Sequence, residues 1–323
     1  MHPATMRAWC ARGYGGPEVL ELREVPLASP RAGEVLVRVE ATTVSSGDRR
    51  IRALDVPPGM GWMVRAVFGL TRPRNPILGA EFTGIVAAVG QGVTRWHEGD
   101  AVIGFPGARQ GAHAEYARMP AEGKLVARPE ALSVEAAAAL SFGGCTARHF
   151  LRRAALQAGE RVLVIGASGT VGSAIIQLAL AAGAHVSGVA SATNQELVRS
   201  LGAGALDYTA ENVSARGAVW DVIADAPGAL DWPRTQAMLA DGGRYLAINA
   251  GLGMMLARSK GSRRIIAGPA EERREDMQAL VQLALQGRFR PLIDSVRPFA
   301  ELPAAHARAD SGRKRGSAVV LGV

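Results

Sequence analysis

Apolar residues are spaced in two distinct ways along the chain. In the first 130 positions they form short runs, each closed by glycine or proline. Val35-Leu-Val-Arg-Val39 follows a turn at Pro30-Arg-Ala-Gly33, Glu81-Phe-Thr-Gly-Ile-Val-Ala-Ala-Val89 leads into Gly90-Gln-Gly92, and Asp100-Ala-Val-Ile-Gly-Phe105 is a third run. Branched and aromatic residues in runs of this length predict strands. Their close punctuation predicts a small, partly open β-barrel.

Past residue 130 the spacing lengthens. Ser133-Val-Glu-Ala-Ala-Ala-Ala-Leu140 has a capping serine and an acid in its first turn, where the helix dipole favours it, so 133–140 is predicted as helix. Strands are then predicted at 161–165, 184–189, 221–226, 244–248 and 263–267, with helices at 171–182, 194–201 and 235–239 between them. That alternation implies an α/β fold: a doubly wound parallel sheet of the Rossmann kind, joined to the β-barrel. Residues 271–286 read as one more helix, with Met277, Leu280, Leu283 and Ala284 on one face. From Arg290 the tail returns to short strands. The expected division is a barrel body from 1–130 and 271–323, and a dinucleotide-binding body over 131–270.

The strand Val162-Leu-Val-Ile165 runs directly into Gly166-Ala167-Ser168-Gly169-Thr170-Val171-Gly172. Three glycines spaced three apart between a strand and an amphipathic helix are the arrangement a pyrophosphate needs. The first makes the tight turn, the second lets backbone approach the phosphates, and the third packs helix on strand. Unpaired N–H groups at the helix start then face the anion. Cofactor choice follows from the end of the next strand, where an acid would bind the ribose diol of NAD. That stretch is Val189-Ala-Ser191-Ala-Thr193-Asn194, with no Asp or Glu until Glu196 inside the next helix. Neutral donors there suit a 2′-phosphate, so NADPH is expected. Asn249, just past the strand at 244–248, is counted with the cofactor-binding residues.

Composition narrows the setting. Of the 323 residues, 48% are hydrophobic and 20% charged, enough to bury a sizeable core. The net charge is +8, almost all of the basic residues being arginine; Lys124, Lys260 and Lys314 are the only lysines. Basic balance favours anionic ligands, but aromatics are only 5% and no basic stripe is interleaved with them, so a nucleic-acid partner is not expected. No apolar run approaches the ~18–20 residues of a membrane span, and the N-terminal residues do not read as a signal peptide. Cys10 and Cys145 match no zinc or redox spacing. A cytoplasmic enzyme is the expectation.

Together these residues resemble the medium-chain dehydrogenase/reductase superfamily, in its zinc-independent quinone oxidoreductase branch. The resemblance runs end to end. It is carried by Gly13-Tyr-Gly-Gly-Pro-Glu-Val-Leu20, Gly33-Glu-Val-Leu-Val-Arg-Val39, Leu78-Gly-Ala-Glu-Phe-Thr-Gly84, Gly99-Asp100, Gly111-Ala-His-Ala-Glu-Tyr116, the glycine turn, Leu201-Gly-Ala-Gly-Ala-Leu-Asp-Tyr208 and Asp221-Val-Ile-Ala-Asp225. Short-chain dehydrogenases are set aside because none of Tyr14, Tyr116, Tyr208 or Tyr245 has lysine four residues on. The resemblance implies a GroES-like barrel, a central Rossmann body and a C-terminus that returns to the barrel. Zinc-dependent relatives take a cysteine from the segment matching Thr43-Val-Ser-Ser-Gly-Asp48 and a histidine at the position of Ala80; this chain offers serine and alanine there, so no metal site is expected.

An NADPH-dependent, zinc-independent reductase of quinones or α,β-unsaturated carbonyls is the expected activity, on a small hydrophobic conjugated substrate. A reductase dedicated to one large enoyl or biosynthetic substrate is an alternative. An NADPH-binding protein that recruits RNA is another, of a different class. Family position marks Ser45, Asp48 and Thr146 as catalytic candidates, Thr146 also on the nicotinamide side, and Tyr208 near the adenosine phosphate. Asp48 could equally cap a helix. His113 and Tyr116 read as core, Arg313-Lys-Arg315 as a solvated charge run, and Cys145 as inert. The apolar segment from Pro57 to Leu70 could form a lip over the pocket, a dimer or lipid contact, or a short amphipathic core helix. Relatives pair through the sheet edge, so a homodimer is expected.

Overall fold

The computed structural model describes residues 3–56, 61–217 and 219–323. Its larger sheet is formed by both ends of the chain. The strands lie in the order Ile293–Pro298, Ser317–Leu321, Glu34–Val44, Phe82–Val89, Ala101–Gly104 and Leu125–Ala127, with Tyr116–Pro120 added to Glu34–Val44. The last strand pairs antiparallel with the third, Val319 opposite Thr43. A hairpin of Thr5–Ala11 and Leu20–Pro26 packs alongside. The first strand buries its apolar run Ala8-Trp9-Cys10-Ala11, while Leu20–Pro26 mixes charged and apolar residues on a largely exposed surface.

The second sheet has six parallel strands. In spatial order they are Gly204–Asp207, His185–Ala190, Arg161–Ile165, Trp220–Asp225, Leu239–Ala247 and Arg264–Ala267. Numbered in chain order within the sheet they lie 3-2-1-4-5-6. The winding therefore reverses between the strands ending at Ile165 and Asp225, and a crevice forms outside their carboxyl ends. The period of two is clear in the core. Val162 and Val164 pack with Ile175, Leu178, Met277 and Leu280 on one face, while Leu163 and Ile165 pack with Ile223, Trp232 and Tyr245 on the other. The expected α/β doubly wound fold is present, with element ends displaced by one to a few residues.

Several elements depart from expectation, among them the strand Gly204–Asp207, which was not expected. The helix Ser141–Ala154 was not predicted, because Gly143 and Gly144 weaken helix propensity. Packing explains them: a Cβ on Gly143 would lie 2.7 Å from Thr170 O, and one on Gly144 2.6 Å from Leu280 Cδ1. The helix Leu302–Asp310 interrupts the tail, which was expected to hold strands only. The helix Arg274–Leu285 packs Met277, Leu280 and Val281 beside Cys145 and Phe150, on the parallel sheet. The helix lies past the expected boundary at residue 271 and shares a core with Val162 and Val164 of the parallel sheet.

Of the segment from Pro57 to Leu70, residues 57–60 lie outside the described residues. The helix Gly61–Phe68 has no buried residue, and Trp62 is 71% exposed, so it is not a core helix. Among the described residues no helix is long and apolar enough to cross a membrane.

Candidate active site

The glycine turn sits at the switch point. Gly166 has φ +75°, where a side chain is strained, and a Cβ there would meet Pro227 Cδ at 2.7 Å. A Cβ on Gly172 would fall far inside contact distance of Gly166 O, so only glycine lets the helix Thr170–Ala181 start this close to the strand. Gly169 caps that helix with no side chain, leaving the first-turn N–H groups without a side-chain acceptor. Ala167 and Val171 point into the core, so of the predicted cofactor residues these two offer only backbone.

An open cleft of about 1470 Å³ lies over this turn, lined by Gly166, Ser168, Ser191, Thr193, Asn194 and Tyr208 among others. Asn194 closes the loop onto the turn: its Nδ2 donates to Ser168 Oγ (3.3 Å) and Ser191 Oγ (3.2 Å), and its Oδ1 is buried with no partner among the described residues. Glu196 points away, 89% exposed and paired with Arg199 at 3.6 Å. Tyr208 is 60% exposed on the cleft wall and is not packed in the core.

The C-terminal tail forms the opposite wall, and the reading of Arg313–Arg315 as a solvated charge run is corrected for Lys314, which is half-buried, and for Arg315, which bonds to Thr193, while the Arg313 side chain is exposed. Gly316 N donates to Ser168 O (3.0 Å), and Thr170 Oγ1 donates to Gly316 O (2.6 Å). Lys314 Nζ donates to Thr170 Oγ1 (3.1 Å) and to Gly316 O. Arg315 Nη2 reaches Thr193 O at 3.1 Å. Arg313, Lys314 and Arg315 all face the cleft, with Arg234 and Arg308 beside them. Asp294 on the same wall is held by Arg308 at 2.8 Å. Burial lowers the Lys314 pKa from 10.5 to about 8. Sequence spacing could not show that the tail folds back onto residues nearly 150 positions earlier.

A second cavity of about 390 Å³ adjoins the first across Leu230. It lies between the helix Ser46–Ala53 and the ends of the parallel strands, and Asn249 lines it rather than the larger cleft. Asn249 Nδ2 donates to Pro227 O at 2.8 Å. The loop separating the two cavities hangs on Asp225, a fully buried carboxylate that spacing did not single out. It accepts from the N–H groups of Gly228 (2.8 Å), Ala229 (3.0 Å) and Leu230 (2.7 Å) and from the Tyr245 hydroxyl (2.9 Å).

The three catalytic candidates are held by contacts within their own helices, Asp48 in the capping role that was its alternative reading. Ser45 and Asp48 are both fully buried and form a capping box on the helix Ser46–Ala53. Ser45 Oγ donates to Asp48 Oδ2 (2.6 Å), as does Ser45 N (2.7 Å), while Asp48 N donates to Ser45 Oγ (3.2 Å). Thr146 donates its hydroxyl to Phe142 O at 2.7 Å. None of the three lines either cavity. His113 is buried, its Nε2 3.0 Å from Thr43 O, and Tyr116 is half-buried.

Sequence reasoning passed over Glu81, which is fully buried between the two sheets. Its Oε1 accepts from Thr43 Oγ1 (2.6 Å), and its Oε2 accepts from the N–H groups of Ser141 (3.0 Å) and Phe142 (2.7 Å) at a helix start. A lone carboxylate opening an apolar strand was the available signal.

Comparison with known proteins agrees with this architecture. A family described as "Alcohol dehydrogenase GroES-like domain" matches residues 31–130, and one described as "Zinc-binding dehydrogenase" matches residues 201–320. A quinone oxidoreductase of Pseudomonas aeruginosa is 33% identical over 331 residues, covering 95% of this chain and 97% of that protein. An "NADPH-dependent alkenal/one oxidoreductase" of Arabidopsis thaliana is 30% identical over 310 residues, covering 92% and 74%. The solved quinone oxidoreductase of Coxiella burnetii superposes with a TM-score of 0.88 at 26% identity, covering 99% and 100%. Matched at both ends by these domain families and along nearly its whole length by such enzymes, the chain belongs to the medium-chain dehydrogenase/reductase superfamily, in its quinone oxidoreductase-like branch of nicotinamide-dinucleotide-dependent oxidoreductases.

Proposed function

We propose that the chain is an NADPH-dependent, zinc-independent reductase of quinones or α,β-unsaturated carbonyl compounds. The observation that carries this reading is the cleft itself: a glycine cradle, a bare helix start and five basic side chains, with no acid on the loop of Ser191, Thr193 and Asn194. The residues fit a dinucleotide. Gly166, Ser168 and the first-turn amides of Thr170, Val171 and Gly172 would hold the pyrophosphate. Ser191, Thr193 and Asn194, with Arg315 anchored beside them, would hold a 2′-phosphate, and Tyr208 would flank the adenosine. The reduced nicotinamide supplies hydride when bound.

The adjoining cavity, reached across Leu230, is the place for the substrate, and Asn249 lines it. Its residues set which acceptors suit it. Ser45 spends its hydroxyl on Asp48, and neither the segment from Thr43 to Asp48 nor Ala80, which match the zinc-ligand positions of metal-dependent relatives, holds a cysteine or histidine. A conjugated carbonyl or a quinone needs only hydrogen bonds to its developing oxyanion. Ser45 and Asp48 act as positioning residues, fixing the helix whose arginines face the cavity. Thr146 holds the turn of the helix that packs on Thr170.

Initial rates of NADPH and NADH oxidation with a panel of simple enones and quinones, with and without chelator, test the reading. Turnover favouring NADPH and indifferent to chelator is expected. NADH preference, or activity that falls with removal of a stoichiometric metal, would overturn it.

A further inference from the structure

The helix Ser46–Ala53 carries three arginines in four positions, and two of them are satisfied. Arg52 is fully buried, donating to Gly15 O (2.9 Å) and to Asp310 (2.6 Å). Arg49 donates to Asp310 Oδ1 (3.1 Å) and pairs with Asp55 Oδ2 at 2.6 Å. Two guanidinium groups thus face two carboxylates and cancel. Arg50 is different. It is half-buried on the wall of the 390 Å³ cavity, and its side chain makes no hydrogen bond or ion pair among the described residues. Burial, and then the neighbouring Arg49, depress its pKa from the ordinary value.

The rest of the cavity offers Arg50 no hydrogen-bonded partner among the described residues, and Asp55 acts on it only through its charge. Asp55, the one acid lining it, is held by Arg49. Asp225, behind the wall, is committed to three loop amides and the Tyr245 hydroxyl. Gly228, Leu230, Ala247, Ala250 and Met254 are apolar. The cavity therefore has mixed walls, with Tyr245 and Asn249 beside these apolar residues, and one guanidinium that no side chain among the described residues pairs with directly. A half-desolvated charge without a partner is costly, and a guanidinium fork matches the paired oxygens of a carboxylate or phosphate.

We propose that Arg50 is a specificity-determining residue, and that the substrate is a conjugated carbonyl compound bearing an anionic group that Arg50 pairs with. This rests on the reading of the cavity as the substrate site. It sharpens that reading from any small hydrophobic enone or quinone to an anionic one. The anion is a carboxylate or phosphate oxygen pair, either on the acceptor itself or on a group attached to it.

Two matched pairs separate the sources. trans-4-Oxopent-2-enoate against its methyl ester tests a carboxylate on the acceptor. Crotonyl-coenzyme A against crotonyl-pantetheine tests a phosphate on the attached group. In the wild-type protein the charged member of one pair is expected to have the higher kcat/KM, by on the order of tenfold or more. In Arg50→Leu and Arg50→Gln that ratio should fall toward one, and in Arg50→Lys it should be partly retained. Preference in the first pair assigns the carboxylate, and in the second the phosphate. Equal rates within both pairs, or a preference that survives both Arg50→Leu and Arg50→Gln, would overturn the inference. Titration calorimetry with the saturated analogues levulinate and methyl levulinate, and with coenzyme A and pantetheine, repeats the comparison without hydride transfer. If no enone or quinone is reduced yet one anion binds in an Arg50-dependent way, the reductase reading fails and the anion site stands. If neutral acceptors are reduced without any charge preference, the reverse holds.

Discussion

Glu81→Gln should make the protein more stable at pH 8 while leaving it nearly unchanged at pH 4.5. Glu81 is fully buried, and its three donors come from Thr43, Ser141 and Phe142. Burial disfavours the carboxylate more than these donors favour it, so its pKa rises from 4.5 to about 7. Between those values the folded chain keeps a proton that the unfolded chain has released. Stability is therefore fully present below about pH 4.5 and is lost as pH rises through about 7. At ~1.36 kcal/mol per pH unit, the loss is roughly 3 kcal/mol. Glutamine keeps the shape. Its carbonyl oxygen can accept from the two amides while its NH2 donates to Thr43 Oγ1, which keeps the three contacts without a buried charge. Glu81→Gln should thus exceed the wild type by roughly 2–3 kcal/mol at pH 8. Urea unfolding of both proteins at pH 4.5, 6, 7 and 8 reads this directly. The difference between the two curves isolates Glu81 from His113 and His306, which are buried in both. Curves that run parallel, or a variant less stable at pH 8, would show that Glu81 is ionised throughout.

Gly172→Ala places a methyl group against Gly166 O and should lower stability by about 1–3 kcal/mol while also reducing the thermal stabilisation given by NADPH; equal melting shifts in variant and wild type would contradict the packing described. Arg315→Gln should narrow the ratio of NADPH to NADH affinity by roughly tenfold, read by fluorescence titration; an unchanged ratio would remove Arg315 from the 2′-phosphate site. Burial holds Lys314 near a pKa of 8, so its charge is lost as pH rises past that value. NADPH affinity should then weaken above about pH 8 in the wild type and stay flat in Lys314→Met; identical pH profiles would contradict this.

What the sequence disclosed follows its local order. The strand at 161–165 and the glycine turn after it were legible because apolar run, turn and helix start are contiguous. The parallel sheet followed from alternation alone. The helix Ser141–Ala154 was hidden because its glycines serve a contact with Thr170 and Leu280, and propensity registers only their local penalty. Lys314 and Arg315 were misread for a related reason. A charge run looks the same whether it faces solvent or folds back over Thr170 and Thr193. Ser45 and Asp48 had the residue types of a catalytic pair, and also the spacing of a capping box. Residue type does not separate these uses; burial does.

A crystal structure with NADPH bound puts the cofactor assignment to its plainest test. The pyrophosphate is expected against the first-turn amides after Gly169, with the 2′-phosphate beside Ser191, Asn194 and Arg315. Phosphates bound away from the glycine turn, or a 2′-phosphate facing solvent with Arg315 still on Thr193 O, would contradict the assignment.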